Sequence, residues 1–230
     1  HRDLHLSIRR QRQMCIRDSG LYQHISLNNI KTLITTLPGL ISDKFAHSMT
    51  RFFRFIADTF FVDRYGHRAV VLETVAGVPG MVAGVLMHFK SLRSMKVGYG
   101  ESIREMLAEA ENERMHLMFF IEIAKPNFFE RLLVLLAQMI FGFFYLIMYL
   151  FFTRTAHRMI GYFEDEAVKS YTEYLQKVED GEIENFQAPL LAIQYYGLDR
   201  NAKLSDLIIA VRNDEQKHSE VNHSYADNYS

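Results

Sequence analysis

Apolar and polar residues recur along most of the chain with the spacing of amphipathic helices rather than of strands. Only four prolines interrupt this pattern, and long segments with few breakers favour an all-α fold. Residues 181–203 contain Pro189, Gly197 and Asn201 and are therefore predicted as a connecting loop. The predicted helices cover about residues 40–60, 67–95, 101–125, 153–180 and 205–223.

One further segment, residues 132–152, runs for 21 residues without a charged side chain. It has the length of a transmembrane helix. A buried helix of a large bundle, or a helix lying in one leaflet, could have the same composition. The 40–60 segment carries Phe45, Phe52 and Phe53 broadly on one side, a face that suits either a packed core or a membrane interface. The pattern alone leaves membrane attachment open for both segments.

The start of the chain differs from the rest. The first twenty residues are rich in arginine and have no sustained period. Their two aspartates and few serines disfavour a mitochondrial targeting segment. We expect residues 1–25 to be poorly ordered or non-native, followed by a single domain over residues 26–230.

Charge and cysteine content narrow the chemistry. The formal net charge of −1 gives no electrostatic case for binding nucleic acid. Cys15 is the only cysteine, so neither a disulfide nor a cysteine-based metal site can form within one chain. A metal site would need histidine and carboxylate ligands, which favour iron, manganese or zinc.

Two stretches, "AENERMHLM" and "RNDEQKH", each place a glutamate three residues before a histidine. On a helix such residues share one face, so both side chains can reach the same metal ion. A single pair of this kind is more often a solvated pair on a helix surface. Here each pair is preceded by another apolar helix that carries a glutamate, which is the ligand pattern of di-iron and di-manganese four-helix bundles. The candidate ligands are Glu73, Glu113, His116, Glu164, Glu215 and His218.

The predicted helix that carries Glu164 offers two more candidates. His157, Glu164 and Tyr171 are seven residues apart and line one face. Tyr171 on this face is either a redox-active or hydrogen-bonding group near the metals, or a packed tyrosine with its hydroxyl satisfied.

Three polar residues lie next to these helix faces. Asn112 and Asp214 each immediately precede a candidate ligand glutamate. They could orient a ligand histidine, or they could be solvated helix residues. Arg68 precedes Glu73 and could recognise an oxygen atom of a substrate, or it could be a surface arginine.

The motifs "LETVAGVPGMVAG", "AENERMHLM", "GYFEDEAVKSYTEYL" and "RNDEQKHSEVNH" resemble those of the alternative oxidases, the cyanide-insensitive quinol oxidases. The resemblance runs in order from about residue 45 to 225. Some positions depart from the family pattern, and many members carry a tryptophan where Tyr196 stands. None of the departures removes a candidate ligand.

The resemblance implies a ferritin-like four-helix bundle around two iron ions, with two additional membrane-docking helices, six long helices in all. It implies that the protein docks on one leaflet, with a break near Thr153 instead of a membrane span. It also implies that the six residues above ligate iron and that Tyr171 takes part in oxygen chemistry. The residues implied near the quinol pocket are Arg68, Leu72, Glu166 and Ser170, and those implied beside the ligands are Asn112, His157 and Asp214.

The implied activity is that of a membrane-bound ubiquinol oxidase that reduces dioxygen to water without pumping protons. The resemblance further implies a homodimer in the inner membrane of mitochondria or bacteria. Two alternatives share the ligand pattern. One is another di-iron enzyme that acts on a lipid-soluble quinone, such as a quinone-intermediate hydroxylase or a plastoquinol oxidase. The other is a non-enzymatic, ferritin-like iron-binding protein.

Overall fold

The computed structural model describes residues 41–60 and 64–228, and these ranges contain helices but no strand. The only pairing of β type there is one isolated bridge between Gln187 and Lys203. Cys15 and the domain boundary predicted near residue 25 lie outside the described residues. The helices are α1 (Ile41–Phe60), α2 (Tyr65–Ser94), α3 (Gly100–Ala124), α4 (Phe128–Phe151), α5 (Thr153–Glu179), α6 (Leu190–Tyr196) and α7 (Leu204–Asn228).

Four of the long helices form the predicted bundle. α2 packs along α3, and α5 packs along α7. The two additional helices lie outside these pairs: α1 packs on α5, and α4 packs on α2 and α5. The all-α, ferritin-like architecture and the six long helices are therefore confirmed, and the break predicted near Thr153 is the single residue between α4 and α5.

The short helix α6 was not predicted, because it lies within the segment 181–203 that was assigned to a loop. It follows Pro189 and ends at Tyr196, immediately before Gly197, whose φ of 66° is a left-handed conformation that glycine adopts easily. Seven residues are too few to show a helical period or to form a stable helix alone. Ala192 and Ile193 are buried, so packing against the bundle stabilises it.

The glycines of α2 allow its backbone to approach α3 closely, as its recurring small residues suggest. A Cβ atom added to Gly80 would lie 2.4 Å from the Met106 carbonyl oxygen and 3.0 Å from the Ala110 nitrogen. These obstructing atoms belong to the α3 backbone and cannot rotate away. Gly80 therefore sets the spacing between two helices that carry candidate ligands.

Gly80→Ala is expected to destabilise the fold by about 1–3 kcal/mol, because the added methyl group forces the two backbones apart. Gly142→Ala is the matched control, since its Cβ would meet only Val78 Cγ1 at an ordinary 3.6 Å. Thermal unfolding of both variants measures the difference. Equal stability of the two variants would contradict the close approach.

Two buried apolar clusters flank the middle of α3. One contains Met106 together with Tyr145 and residues of α5. The other contains Phe119 together with residues of α5, α6 and α7. The polar stretch of α3 that includes Glu113 lies between them along the helix, so the candidate site is enclosed by apolar packing at both ends.

By length and composition alone, two described helices, α2 and α4, could each cross a membrane. They differ in burial: 56% of the most apolar window of α2 is buried within the protein, against 22% for α4. One face of α4 is packed, and the rest carries exposed apolar side chains. The packed residues are Phe141, Tyr145, Met148 and Tyr149, and the most exposed include Phe128, Phe129, Ile140, Phe143 and Phe151.

Candidate metal centre

Three bundle helices bring four candidate ligands together. Glu73 comes from α2, Glu113 and His116 from α3, and Glu215 from α7, and all four are buried. Each offers a ligand atom that lies within 4.8 Å of the others. The Glu-x-x-His spacing on α3 therefore does turn both side chains to one interior face.

One nitrogen of the His116 imidazole faces three carboxylates. Its Nδ1 lies 3.0 Å from Glu215 Oε1, 3.3 Å from Glu73 Oε2 and 3.5 Å from Glu113 Oε2. These atoms are close, yet their angles do not make hydrogen bonds, and Nδ1 and the facing oxygens have no hydrogen-bond partner among the described residues. Buried polar atoms without partners are costly, and this arrangement of donor atoms suits a bound cation.

The other two candidate ligands border this cluster. His218 Nδ1 lies 2.5 Å from Glu113 Oε1. Glu164 of α5 is 3% exposed. Burial, followed by the nearby charges of Glu215 and Glu113, raises the pKa of Glu164 well above its usual range. All six predicted residues thus line one interior, with Glu164 and His218 outside the tightest group of four.

The donor set fits metal ions. Four carboxylates and two imidazoles lie in the buried interior of the bundle, and such oxygen and nitrogen ligands suit divalent iron, manganese or zinc. Uncompensated, the carboxylates repel one another in an apolar interior. A cation that neutralises them would also satisfy the orphaned atoms of Glu73, Glu113, His116, Glu215 and His218.

Burial dominates the protonation of this cluster. It raises the pKa of Glu113 to about 8, with Glu73 adding repulsion, and it raises the pKa of Glu215 to about 7. For Glu73 burial acts in the same direction, but contacts with His116 outweigh it and lower the pKa. Without metal, the centre therefore holds protons at pH values where exposed glutamates have lost them.

The metal-free protein is expected to lose stability as the pH rises from 4.5 to about 8. In the unfolded chain, Glu113 and Glu215 have the ordinary glutamate pKa of 4.5 and have lost their protons in this window. The folded chain retains these protons up to pH 7–8, so the folded state binds more protons and loses stability as the pH rises. Metal binding replaces these protons, so the stabilisation by metal should grow with pH. Thermal unfolding from pH 4.5 to 8, with and without Fe²⁺ in the absence of dioxygen, measures both trends. A metal-free protein whose stability rises over this range would contradict the assignment.

Tyr171 lies directly beside the cluster. Its hydroxyl donates a hydrogen bond to Glu73, and its ring stacks on Phe120 with centroids 5.6 Å apart. Burial, followed by the charges of Glu73 and Glu215, raises the pKa of Tyr171 well above its usual value. From the sequence, Tyr171 was either a group near the metals or a packed tyrosine. In the structure its hydroxyl is buried and contacts Glu73, a candidate ligand.

The opposite edge of His116 meets a second polar group. His116 Nε2 lies 2.8 Å from the hydroxyl of Tyr196, and that hydroxyl donates to Asp214 Oδ2 at 2.9 Å. Asn112 Nδ2 donates to the same oxygen at 3.2 Å, and Lys217 Nζ donates to Asp214 Oδ1 at 2.9 Å. Asn112 and Asp214 are therefore bonded to each other behind His116, on the side away from the cluster.

A model of the family described as alternative oxidase matches residues 23–227 of the chain. The chain belongs to the alternative oxidase family. Relatives include "Ubiquinol oxidase, mitochondrial" of Batrachochytrium dendrobatidis, 50% identical over 191 residues, which are 83% of this chain and 60% of the relative. They also include "Ubiquinol oxidase 1c, mitochondrial" of Arabidopsis thaliana, 50% identical over 191 residues, 83% of this chain and 58% of the relative. The chain thus spans about 60% of the length of these relatives.

In this member of the alternative oxidase family, His157 is connected to the centre through Asn222. Its Nδ1 lies 3.0 Å from Asn222 Oδ1. The amide of Asn222 donates to both carboxylate oxygens of Glu109 and to the backbone oxygen of His218. Burial raises the pKa of Glu109 to about 7. Glu109 was not among the predicted site residues, although it stands one helical turn before Glu113 on the same face of α3.

The predicted quinol-pocket residues Arg68 and Glu166 belong to one charged network. Arg68 pairs with Asp58 at 2.8 Å, Arg54 pairs with Asp58 at 3.3 Å, and Arg54 also pairs with Glu166. Lys169 binds Glu166 at 2.6 Å. Burial alone would raise the pKa of Glu166, but Lys169 and Arg54 lower it. Arg54 and Asp58 of α1 were not predicted as site residues, and they join α2 to α5.

Leu72 and Ser170 follow this network along their helices. Leu72 stands four residues after Arg68 on α2 and is half-buried, and Ser170 stands four residues after Glu166 on α5 and is buried. Residues four apart share a helix face. Each therefore lies one turn further along the face that carries the charged residue.

Proposed function

We propose that this chain is a membrane-bound ubiquinol oxidase that couples quinol oxidation to the four-electron reduction of dioxygen to water, without pumping protons. The observation that carries the proposal is the buried cluster of carboxylates and imidazoles in the bundle of an alternative oxidase family member. Two quinols supply four electrons and four protons, and one dioxygen accepts them to give two waters. No proton has to cross a membrane for this balance to close.

The proposed cofactor is a pair of iron ions. When bound, iron supplies the one-electron steps that link quinol to dioxygen. The donor set supports this assignment, since four carboxylates can balance the charge of two divalent cations. The proposed ligands are Glu73, Glu113, His116, Glu164, Glu215 and His218.

Tyr171 is the proposed catalytic side chain. Its hydroxyl touches Glu73 and retains its proton at neutral pH because burial and the nearby carboxylates raise its pKa. A neutral buried phenol can donate a hydrogen bond, a proton or an electron to reacting oxygen atoms. Its position next to a proposed ligand gives it access to the reaction.

The quinol is proposed to bind where Arg68 and Glu166 meet the α1 side of the bundle. These residues and their partners offer charged donors and acceptors for quinol hydroxyl groups. Leu72 and Ser170, one turn further along, would contact the ring. The charged groups are partly enclosed, which favours one head-group orientation over many.

The proposed membrane attachment is to one leaflet, through α1 and α4. α1 exposes Phe45, Phe52 and Phe55, and α4 exposes apolar side chains along much of its length. Because α4 packs on α2 and α5, a membrane-spanning α4 would draw charged residues such as Glu166 and Lys169 towards the hydrocarbon. A helix lying in the interface avoids that cost. The attached face also gives a lipid-soluble quinol a short route to the bundle.

The inner membrane of mitochondria or bacteria is the proposed location, and the names of the relatives above include the word mitochondrial.

A homodimer is the proposed assembly. An exposed apolar stripe on α2 supports it, because its residues recur at helical spacing: Met81, Val85, Phe89 and Leu92.

The reaction is tested by its stoichiometry. Purified, iron-loaded protein in detergent is expected to oxidise two molecules of a short-chain ubiquinol per dioxygen consumed and to release no hydrogen peroxide. A ratio of one quinol per dioxygen, with peroxide as product, would exclude the four-electron reaction. Substrate hydroxylation without net quinol oxidation would indicate a different di-iron enzyme.

A further inference from the structure

We propose that Tyr196 is a positioning residue that holds His116 in the orientation and tautomer needed to bind metal. The proposal deepens the proposed function, because it rests on His116 being a ligand.

The hydroxyl of Tyr196 bridges two groups that do not reach each other. His116 Nε2 and Asp214 Oδ2 are 3.7 Å apart, too far for a hydrogen bond. The Tyr196 hydroxyl oxygen lies 2.8 Å from the first and 2.9 Å from the second. The phenol therefore connects the imidazole to the carboxylate.

The donor and acceptor directions along this bridge are fixed. The Tyr196 hydroxyl donates to Asp214, whose carboxylate also receives hydrogen bonds from Asn112 and Lys217. With its one hydrogen used, the phenol oxygen can only accept from His116, so Nε2 must carry a hydrogen. In the neutral ring the lone pair then resides on Nδ1, the nitrogen that faces Glu73, Glu113 and Glu215. This is the tautomer that binds a metal ion at the cluster.

Packing holds the phenol in this position. The Tyr196 ring lies nearly parallel to the His116 ring at 27°, and Phe119 packs against both rings. Tyr196 is the last residue of α6, immediately before the left-handed Gly197. The short helix that the sequence did not predict thus delivers the hydroxyl to His116.

Tryptophan at this position could not do the same. An indole N–H is a donor only, so it could bond to Asp214 but could not accept the hydrogen of His116 Nε2. Phenylalanine offers neither bond. Comparison of the unchanged protein with Tyr196→Trp and Tyr196→Phe therefore tests separately the hydrogen bond donated to Asp214 and the one accepted from His116.

The test measures metal binding and the histidine tautomer. Anaerobic titration with Fe²⁺ gives the affinity, and ¹⁵N NMR of histidine-labelled, Zn²⁺-loaded protein reports which His116 nitrogen carries hydrogen. Tyr196→Phe is expected to weaken Fe²⁺ binding about 10–100-fold and to shift or broaden the Nε2–H signal. Tyr196→Trp should lie between Tyr196→Phe and the unchanged protein. Tyr174→Phe is the matched control, because it removes another buried hydroxyl of the same core that is not bonded to His116.

The outcomes separate the two proposals. If the unchanged protein binds two Fe²⁺ and Tyr196→Phe binds them equally well with the same NMR signal, the role of Tyr196 is overturned and the metal site stands. If the unchanged protein binds no Fe²⁺, the metal site is overturned and the role of Tyr196 with it. Should Tyr196→Phe fail to fold, Tyr196→Trp decides, since affinity equal to that of the unchanged protein would exclude a need for the acceptor.

Discussion

Replacing Glu113 with alanine is expected to abolish both metal binding and quinol oxidase activity. Glu113 is fully buried, and its two oxygens face the two proposed histidine ligands: Oε2 lies 3.5 Å from His116 Nδ1, and Oε1 lies 2.5 Å from His218 Nδ1. Among the described carboxylates, only Glu215 also lies within 4 Å of both histidines through separate oxygens, at 3.0 Å from His116 Nδ1 and 3.9 Å from His218 Nδ1. Removing the Glu113 side chain therefore takes away the carboxylate that lies within 3.5 Å of both proposed histidine ligands.

Iron analysis of the purified variant measures this effect. We expect iron to fall from two ions per chain to nearly none, and turnover to fall below detection. Glu111→Ala is the matched control on the same helix, because Glu111 is half exposed and its ion-pair partner in the described part of the chain is Arg114, which is also at the surface. Such pairs contribute less than about 1 kcal/mol. A Glu113→Ala protein that kept two iron ions per chain would refute the site.

Replacing Tyr171 with phenylalanine is expected to leave iron in place and to slow turnover. The ring can keep its stacking on Phe120, while the hydrogen bond from the hydroxyl to Glu73 is lost. Loss of a positioned proton donor typically lowers a rate about 10²–10⁴-fold. A fall of that size, without loss of metal, would identify the hydroxyl as part of the chemistry.

The measurement compares kcat at saturating quinol with iron content and thermal stability. Tyr174→Phe again serves as control, since it alters a buried tyrosine one turn further along α5. Turnover within twofold of the unchanged protein in Tyr171→Phe would mean that Tyr171 is a packing residue, the alternative that the sequence left open. A large loss of iron would mean that the hydroxyl supports Glu73 rather than the reaction.

The long helices could be predicted because each carries its period in its own sequence. The stop before Pro126 is one example: α3 ends at Ala124, and Asn127 and Glu130 form a reciprocal cap that begins α4. The helix α6 could not be predicted in the same way. Its stability depends on burial of Ala192 and Ile193 against residues distant in sequence, which local spacing does not encode.

The same limit explains which parts of the site were predictable. The Glu-x-x-His spacing is local, and it brought Glu113 and His116 to one face as expected. The partner on the far side of His116 is Tyr196, 80 residues away, and only the packed fold brings them together. Glu109 could have been predicted, because a residue four positions before a candidate ligand shares its helix face.

Hydropathy could predict the apolar segment around α4 but not which of its faces packs on the bundle. The window counts apolar side chains regardless of direction. In the structure one face of α4 packs on the bundle through Phe141 and Tyr145, while the other exposes Ile140 and Phe143. That division of faces leaves an exposed apolar surface along α4, which is the surface proposed to dock on one leaflet.

The most direct test of the central claim is oxygen uptake by membranes that contain the protein, with a short-chain ubiquinol as donor and cyanide present. We predict cyanide-resistant uptake that is lost in Glu113→Ala and kept in Glu111→Ala. Such a result would establish the reaction, the class of donor and the site together. Two iron ions per chain without any quinol-dependent uptake would contradict the proposed reaction while leaving the metal centre in place.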